Sequence, residues 1–363
     1  MSILYVLLAL LLLGILITVH EFGHFMAARL TGIPVKEFAI GFGPKICSWN
    51  SKKHETKFFL RCIPMGGYCA FYGEDDTEEK EKDDARNLNN FAVWKRLLTI
   101  LMGPVMNFVL ALVVAVGLYM AVGIDQGGEY GYYVVQSVEK GSPAEAGGLV
   151  AGDIILSING EDMKGLDEND TPRTSNAIMA YRPGDEPLNM EVERAGERET
   201  LLLTPQVNEA EGRMMVGITM QLQYTPAFRS VSVFEAVGLG FDYCVRSGRA
   251  ILDALLNMLR TGEGLKESSG PVGIVQLIAE ETKENGFVTY AELLVLISVN
   301  LGLFNLLPIP GLDGSRLIFL AIEGIFRKPV PRKIEAYIHM AGYLLLIGFM
   351  LFVTFQDVTK IFR

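Results

Sequence analysis

Hydrophobic residues in this chain gather into four runs that contain no Asp, Glu, Lys or Arg: Ile3–Val19, Leu97–Val122, Leu293–Leu312 and Ala336–Phe355. Each is close to the roughly 20 residues that a helix needs to cross a bilayer, and so predicts a transmembrane helix. Between the second and third runs the rhythm changes. Residues 125–225 show only short alternating stretches, such as Tyr132–Val138 and Ile154–Ile158, closed by Gly, Pro, Asn and Asp. That pattern predicts the strands of a separate, water-exposed α+β domain. From Val231 to Arg260 apolar residues recur at helical spacing, but Asp242, Arg246, Arg249, Asp253 and Arg260 interrupt them. Such a helix suits the membrane surface better than a fifth span.

The predicted fold class is therefore a polytopic α-helical membrane protein with four transmembrane helices and one extracytoplasmic domain. Its expected divisions are a first transmembrane helix (1–30), a cytoplasmic segment (31–96), a second transmembrane helix (97–124) and the water-exposed domain (125–225). A membrane-surface amphipathic region (226–292), a third transmembrane helix (293–315), a cytoplasmic loop (316–335) and a fourth transmembrane helix with its tail (336–363) follow. The first run is read as a retained anchor, because no basic residue precedes it and no small-residue cleavage pattern follows it.

Composition sharpens this picture. Half of the 363 residues are hydrophobic and 20% are charged, below the roughly 25% of ordinary soluble domains. The net charge of −10 disfavours nucleic acid as a partner. Residues 125–225 carry 18 acidic and 7 basic side chains, so this domain supplies essentially all of the acidity. Twelve basic residues lie between Arg29 and Arg96, and Arg316, Arg327, Lys328, Arg332 and Lys333 lie between the last two spans. By the positive-inside rule both segments are cytoplasmic, which places 125–225 on the outer side of the membrane. The block Glu74–Asp84 is read as a solvated stretch. Cys47, Cys62, Cys69 and Cys244 form no CxxC pair and imply neither a disulfide framework nor a cysteine zinc cluster.

The sharpest chemical signal is His20-Glu21-Phe22-Gly23-His24, at the end of the first run. Residues i and i+4 of a helix lie one above the other, so two imidazoles can chelate one tetrahedral Zn2+. Glu21 sits about 100° round the helix, near enough to take a proton without being a ligand. In a chain of this composition chance produces the motif about 0.003 times. A catalytic zinc needs a third protein ligand and an open position. The candidate is Asp313 in Asn305-Leu306-Leu307-Pro308-Ile309-Pro310-Gly311-Leu312-Asp313-Gly314. The two prolines stop the helix, and irregular backbone at membrane depth fits the wall of a site.

These two motifs together resemble the site-2 protease family of intramembrane zinc metalloproteases, in particular its bacterial RseP/RasP type. Phe38–Pro44 and Arg61–Tyr68 are similar to that family's membrane-re-entrant β-hairpin. Trp94-Lys95-Arg96 and Gly103-Pro104-Val105-Met106-Asn107 resemble the beginning of its second span, and Gly270–Ile274 its segment before the third. The resemblance implies His20, His24 and Asp313 as metal ligands, Glu21 as general base and Asn305 as a polar helper. Val138–Leu149 followed by Gly152–Gly160 looks like a bacterial PDZ domain, present as a single copy. Gly238-Leu239-Gly240-Phe241 mimics a PDZ carboxylate loop but falls in the helical pattern after the domain.

The expected function is intramembrane proteolysis of single-span substrates, such as an anti-sigma factor or a signal-peptide remnant, by water activated at zinc. Pro308 and Pro310 would border the substrate, and Gly66, Gly67 and Tyr68 would lie on an edge that holds it extended by main-chain pairing. Expected partners are transmembrane proteins or peptides, membrane lipid, and a peptide C-terminus at the PDZ domain, which could equally act as a size filter. The alternatives are a non-catalytic PDZ scaffold with a structural metal site and a metal transporter. The first would need four closed ligands, and the second polar residues across several spans. His339, at the head of the last run, and His54, in a Lys-rich stretch, are read as incidental.

Overall fold

The computed structural model describes residues 2–51, 55–73, 84–167, 171–208, 212–262 and 270–361. His54 and most of the acidic block at 74–84 fall outside them. The described chain divides into two compact units, residues 1–121 with 231–363 and residues 122–230.

In the first unit the apolar runs become helices. Helix α1 (Ile3–Thr31) ends where Gly32 enters the left-handed region, with its N–H on the carbonyls of Ala28 and Arg29, a Schellman-type stop. Strands β1 (Val35–Asn50) and β2 (Lys57–Phe71) follow, then α2 (Val93–Val122). After the second unit come α5 (Val233–Thr261), α6 (Pro271–Leu306), α7 (Asp313–Phe326) and α8 (Arg332–Ile361). Among the described residues, four helices are long and apolar enough to cross a membrane: α1, α2, α6 and Lys333–Asp357 within α8. Their outward faces carry exposed side chains such as Leu4, Leu7, Leu344, Leu345 and Leu351. Water would penalise such surface and lipid does not.

Three features differ from the sequence expectation. The third span does not run through 293–315. Its helix begins at Pro271, breaks at Gly286 (φ 80°) and stops at Leu306. Leu307 is extended because the residue before a proline is driven out of the helical region. Asp313 opens a separate helix that runs into the segment expected to be a loop. Finally, β1 and β2 are more than a simple hairpin. Residues Glu37–Ile40 pair with Gly67–Ala70 on one side and with Lys57–Leu60 on the other, while Cys47–Asn50 pair back onto Lys57–Leu60. The two long strands thus double over into four rungs, with Gly67–Phe71 at one edge.

Helix α1 packs Ala9, Leu12 and Leu16 against Ile278, Tyr290 and Leu294 of α6. Ala111 and Ala115 of α2 meet Val295 and Val299 of the same helix, with Tyr243, Cys244 and Ile251 of α5 beside them. Four-residue spacing of small side chains on α2 lets the backbones approach closely, the usual basis of helix association in lipid.

The second unit is built on an antiparallel sheet. Its strands β4 (Glu129–Val138), β5 (Ile154–Ile158), β7 (Leu188–Arg194), β8 (Glu197–Leu203) and β11 (Ile218–Thr225) lie in the order β11-β4-β5-β7-β8. A short helix, α3 (Pro143–Ala146), is capped by the Ser142 hydroxyl accepting from Glu145 N–H. The Asn159-Gly160 turn, with both residues at positive φ, joins β5 to β6 (Glu161–Asp162), as a two-residue hairpin of this kind requires. Val135, Ile155, Ile158, Met190, Val192 and Leu203 form the unit's own core, with Ile178 of α4 (Arg173–Met179) packed into it.

Candidate metal centre

His20 and His24 lie one turn apart on α1 and are buried, 7% and 8% exposed. Their rings stand nearly perpendicular, 85° apart, and their Nε2 atoms are 3.2 Å from each other. Asp313, 289 positions later in the chain and at the start of α7, brings Oδ2 to 3.0 Å from His20 Nε2 and 3.3 Å from His24 Nε2. The ligand atoms of these three residues all fall within 4.8 Å of one another. Asp313 Oδ2 is fully buried yet accepts no hydrogen bond. An orphaned buried carboxylate oxygen is costly, and a cation shared with two imidazole nitrogens removes that cost. Two nitrogens and one carboxylate oxygen are the donor set of a catalytic zinc site with one position open, so the residues present fit the metal.

Helix α2 holds the imidazoles. Thr99 presents its main-chain carbonyl 2.9 Å from His24 Nδ1. A carbonyl can only accept, so Nδ1 carries the proton and Nε2 keeps the lone pair that a metal needs. The Asn107 side-chain amide lies 3.1 Å from His20 Nδ1, and Ser298 of α6 donates to the Asn107 main-chain carbonyl at 2.7 Å. A half-turn of the amide brings its oxygen to Nδ1, and in that orientation His20 Nε2 is equally free. Between these two contacts sits Gly103. A methyl group there would lie 2.3 Å from His24 Cε1 and Nε2, and one at Gly23 would lie 2.2 Å from the Met102 carbonyl. Glycine on both helices therefore lets α2 press directly on the histidine pair.

Glu21 lies on the flank of α1 that meets β2. The Cys69 main-chain N–H hydrogen-bonds its carboxylate, and a methyl at Gly67 would be 3.5 Å from its Cγ. Helix α7 is fixed at its other end by Arg96 of α2. The guanidinium forms a two-pronged pair with Glu323 at 2.5 and 3.1 Å and donates from Nε to the Phe91 carbonyl at 3.0 Å.

The structure thus gathers His20, Glu21, His24, Gly67 and Asp313. Other sequence candidates are placed differently. Tyr68 donates its hydroxyl to Glu37 at 2.9 Å and accepts from Arg61 at 3.2 Å, within the sheet. Gly66 is filled by the ring of Phe42. Asn305 sits half-buried in the last turn of α6, while the hydrogen bonds on the imidazoles come from α2. Pro308 is exposed and Pro310 packs on Gly342 of α8. The roles of Thr99, Gly103 and Asn107 are not part of the sequence expectation. One signal does point to them: Thr99, Gly103, Asn107, Ala111 and Ala115 recur every four residues on α2 and are all fully or nearly fully buried.

The model of Peptidase family M50 matches residues 8–349 of the chain. The chain belongs to peptidase family M50. A Clostridium perfringens relative named as a zinc metalloprotease is 36% identical over 98% of both chains. Zinc metalloprotease RasP of Geobacillus kaustophilus is 32% identical over 96% of both. Membership makes this chain a zinc-dependent metalloprotease, and its four apolar helices make it a multi-pass membrane protein. Part of the chain is also similar to the PDZ domain of an SdrC-like protein from Listeria monocytogenes, at 24% identity over 25% of this chain and 88% of that one, with a TM-score of 0.22.

Proposed function

We propose that this M50 peptidase cleaves single-span membrane substrates within the bilayer, with His20, His24 and Asp313 holding the zinc and Glu21 acting as general base. The observation that carries this reading is the convergence of two buried imidazoles and a partly buried carboxylate from α1 and α7 beside a second carboxylate that is not one of them. Held by His20, His24 and Asp313, a zinc ion would supply Lewis acidity that makes water nucleophilic near neutral pH. Glu21 takes a proton from the attacking water and delivers it to the leaving amine. Its hydrogen bond from the Cys69 N–H keeps the carboxylate aimed from the side of the sheet.

A peptide bond inside a helix is shielded by its own hydrogen bonds, so the substrate must be held extended. The edge formed by Gly67–Phe71 runs past Glu21, and main-chain pairing there would present an extended segment to the site. The basic segments flanking α1 and α7 favour a cytoplasmic active-site side in a bacterial membrane and an extracytoplasmic position for residues 122–230. That unit is read as a PDZ domain. A groove between α4 and the chain around Met214–Ile218, lined by Ile178 and Met179, could take a peptide C-terminus. Three protein donors rather than four support catalysis over a structural metal in a scaffold.

The deciding experiment uses a tagged single-span substrate with a truncated outer domain. Glu21→Gln should lower its cleavage by at least about a hundredfold, the scale of lost general-base catalysis, while zinc content stays at the wild-type level. Cleavage at the wild-type rate would refute the assignment.

A further inference from the structure

One histidine of the membrane unit is left unused by the proposed chemistry. His339 lies in α8, and its Nδ1 accepts a hydrogen bond from the Gly311 N–H at 3.2 Å. Gly311 closes the turn between α6 and α7 with φ of +99°, two residues before Asp313. Because Nδ1 is the acceptor, the ring proton sits on Nε2. That nitrogen is buried without a hydrogen-bond partner, and Glu335 one turn earlier approaches it to 3.8 Å. The ring lies edge-on to Phe319 of α7 at 5.6 Å between centroids.

The same face of α8 touches the turn again. A methyl group at Gly342 would lie 2.2 Å from the Pro310 carbonyl, and Leu346 and Tyr343 come within 3.2 and 3.4 Å of where a Gly311 Cβ would be. Positions 339, 342, 343 and 346 share one side of a helix. Within the turn the Ile309 N–H bonds the Leu307 carbonyl at 2.7 Å and the Leu312 N–H bonds the Ile309 carbonyl at 3.0 Å, while Pro308 and Pro310 have no N–H to offer. Losing the His339 ring would leave the Gly311 N–H without the acceptor it has here.

We propose that His339 is a positioning residue of the metal centre: its Nδ1 lone pair anchors the Gly311 amide, and the rigid turn then sets the approach of Asp313 to His20 and His24. This rests on the reading of Asp313 as a zinc ligand. His339 touches neither metal nor substrate and acts only through the turn.

The test uses the full-length protein purified in detergent, with zinc affinity measured by chelator competition alongside cleavage of the tagged substrate. His339→Ala should weaken zinc binding about fivefold, the scale of one lost hydrogen bond. His339→Asn places an amide oxygen where Nδ1 stood and should restore affinity. His339→Gln reaches only to the position of Nε2 and should not. Wild-type zinc affinity in His339→Ala, or equal rescue by Asn and Gln, overturns the proposal. If the Ala variant does not fold, the contrast between Asn and Gln still decides it. Asp313→Ala separates the two readings. If it binds zinc as tightly as the wild type, the ligand assignment itself fails. If it loses zinc while Asn and Gln at 339 behave alike, only the role of His339 falls.

Discussion

A methyl group is the smallest possible probe of the histidine pair. Gly103→Ala would force one to 2.3 Å from His24 Nε2, so the imidazoles must tilt away from Asp313 or α2 must move off α1. The expected result is a chain that inserts and folds but binds zinc at least about tenfold more weakly, the lower bound for disturbed outer-shell contacts; metal analysis of the purified variant checks it. A second residue-scale case lies in the 122–230 unit. Asp153 is fully buried, and burial alone would raise its carboxyl. The two hydrogen bonds from Arg194 at 2.7 Å and one from the Val150 N–H at 2.9 Å outweigh it and hold the group below the ordinary carboxylate range. A depressed folded-state pKa contributes stability that is present above the unfolded carboxylate's pKa and is lost as pH falls through the folded one. Asp153→Asn should therefore destabilise this unit by about 2 kcal/mol at neutral pH, and the difference from wild type should shrink in acid. Hydrogen exchange of β5 in the full chain, followed against pH, reports both effects.

At the scale of elements, α2 is the organiser. Its four-residue stripe places the Thr99 carbonyl, the gap at Gly103 and the Asn107 amide under α1, while Arg96 near its start grips Glu323 of α7. One helix thereby sets the positions of the two that carry the proposed metal donors. The Arg96 guanidinium is almost fully buried, so removing its partner leaves an uncompensated charge. Glu323→Ala should destabilise α7 by about 3 kcal/mol, with faster hydrogen exchange along Asp313–Phe326 and weaker zinc binding. Exchange in α7 at the wild-type rate would show that the pair contributes nothing. The strands also illustrate what local pattern omits. The family resemblance of Phe38–Pro44 and Arg61–Tyr68 implies a hairpin, but the doubled pairing of Glu37–Ile40 depends on where each long strand folds back, and positive φ at Gly41 and Gly43 permits that fold.

For the molecule as a whole, the acidic domain is separable in its covalent plan. Residues 122–230 have their own core, and β3 (Ile124–Asp125) pairs with β12 (Phe228–Arg229), so the chain enters and leaves the unit at neighbouring points. Deleting 122–230 and bridging the ends with a short Gly/Ser linker should leave zinc binding intact. If the unit works as a size filter, the shortened enzyme should cleave substrates that still carry bulky outer domains. Unchanged selectivity in an active shortened enzyme would instead favour a peptide-binding role.

The linear order of residues determined a great deal here. Charge-free runs announced the spanning helices because lipid penalises charge. The His20–His24 spacing pointed to a candidate chelating pair because a helix repeats every 3.6 residues. Asp313 was legible as the candidate third donor because two prolines must end a helix. The contacts between α1, α2, α7 and α8 were decided only by tertiary structure. Nothing local in Thr99, Glu323 or His339 distinguishes a residue that aims an imidazole, anchors a helix or holds a turn from one that faces lipid. Their roles arise because packing in the bilayer brings distant backbones within hydrogen-bond reach, and that proximity has no period in the sequence.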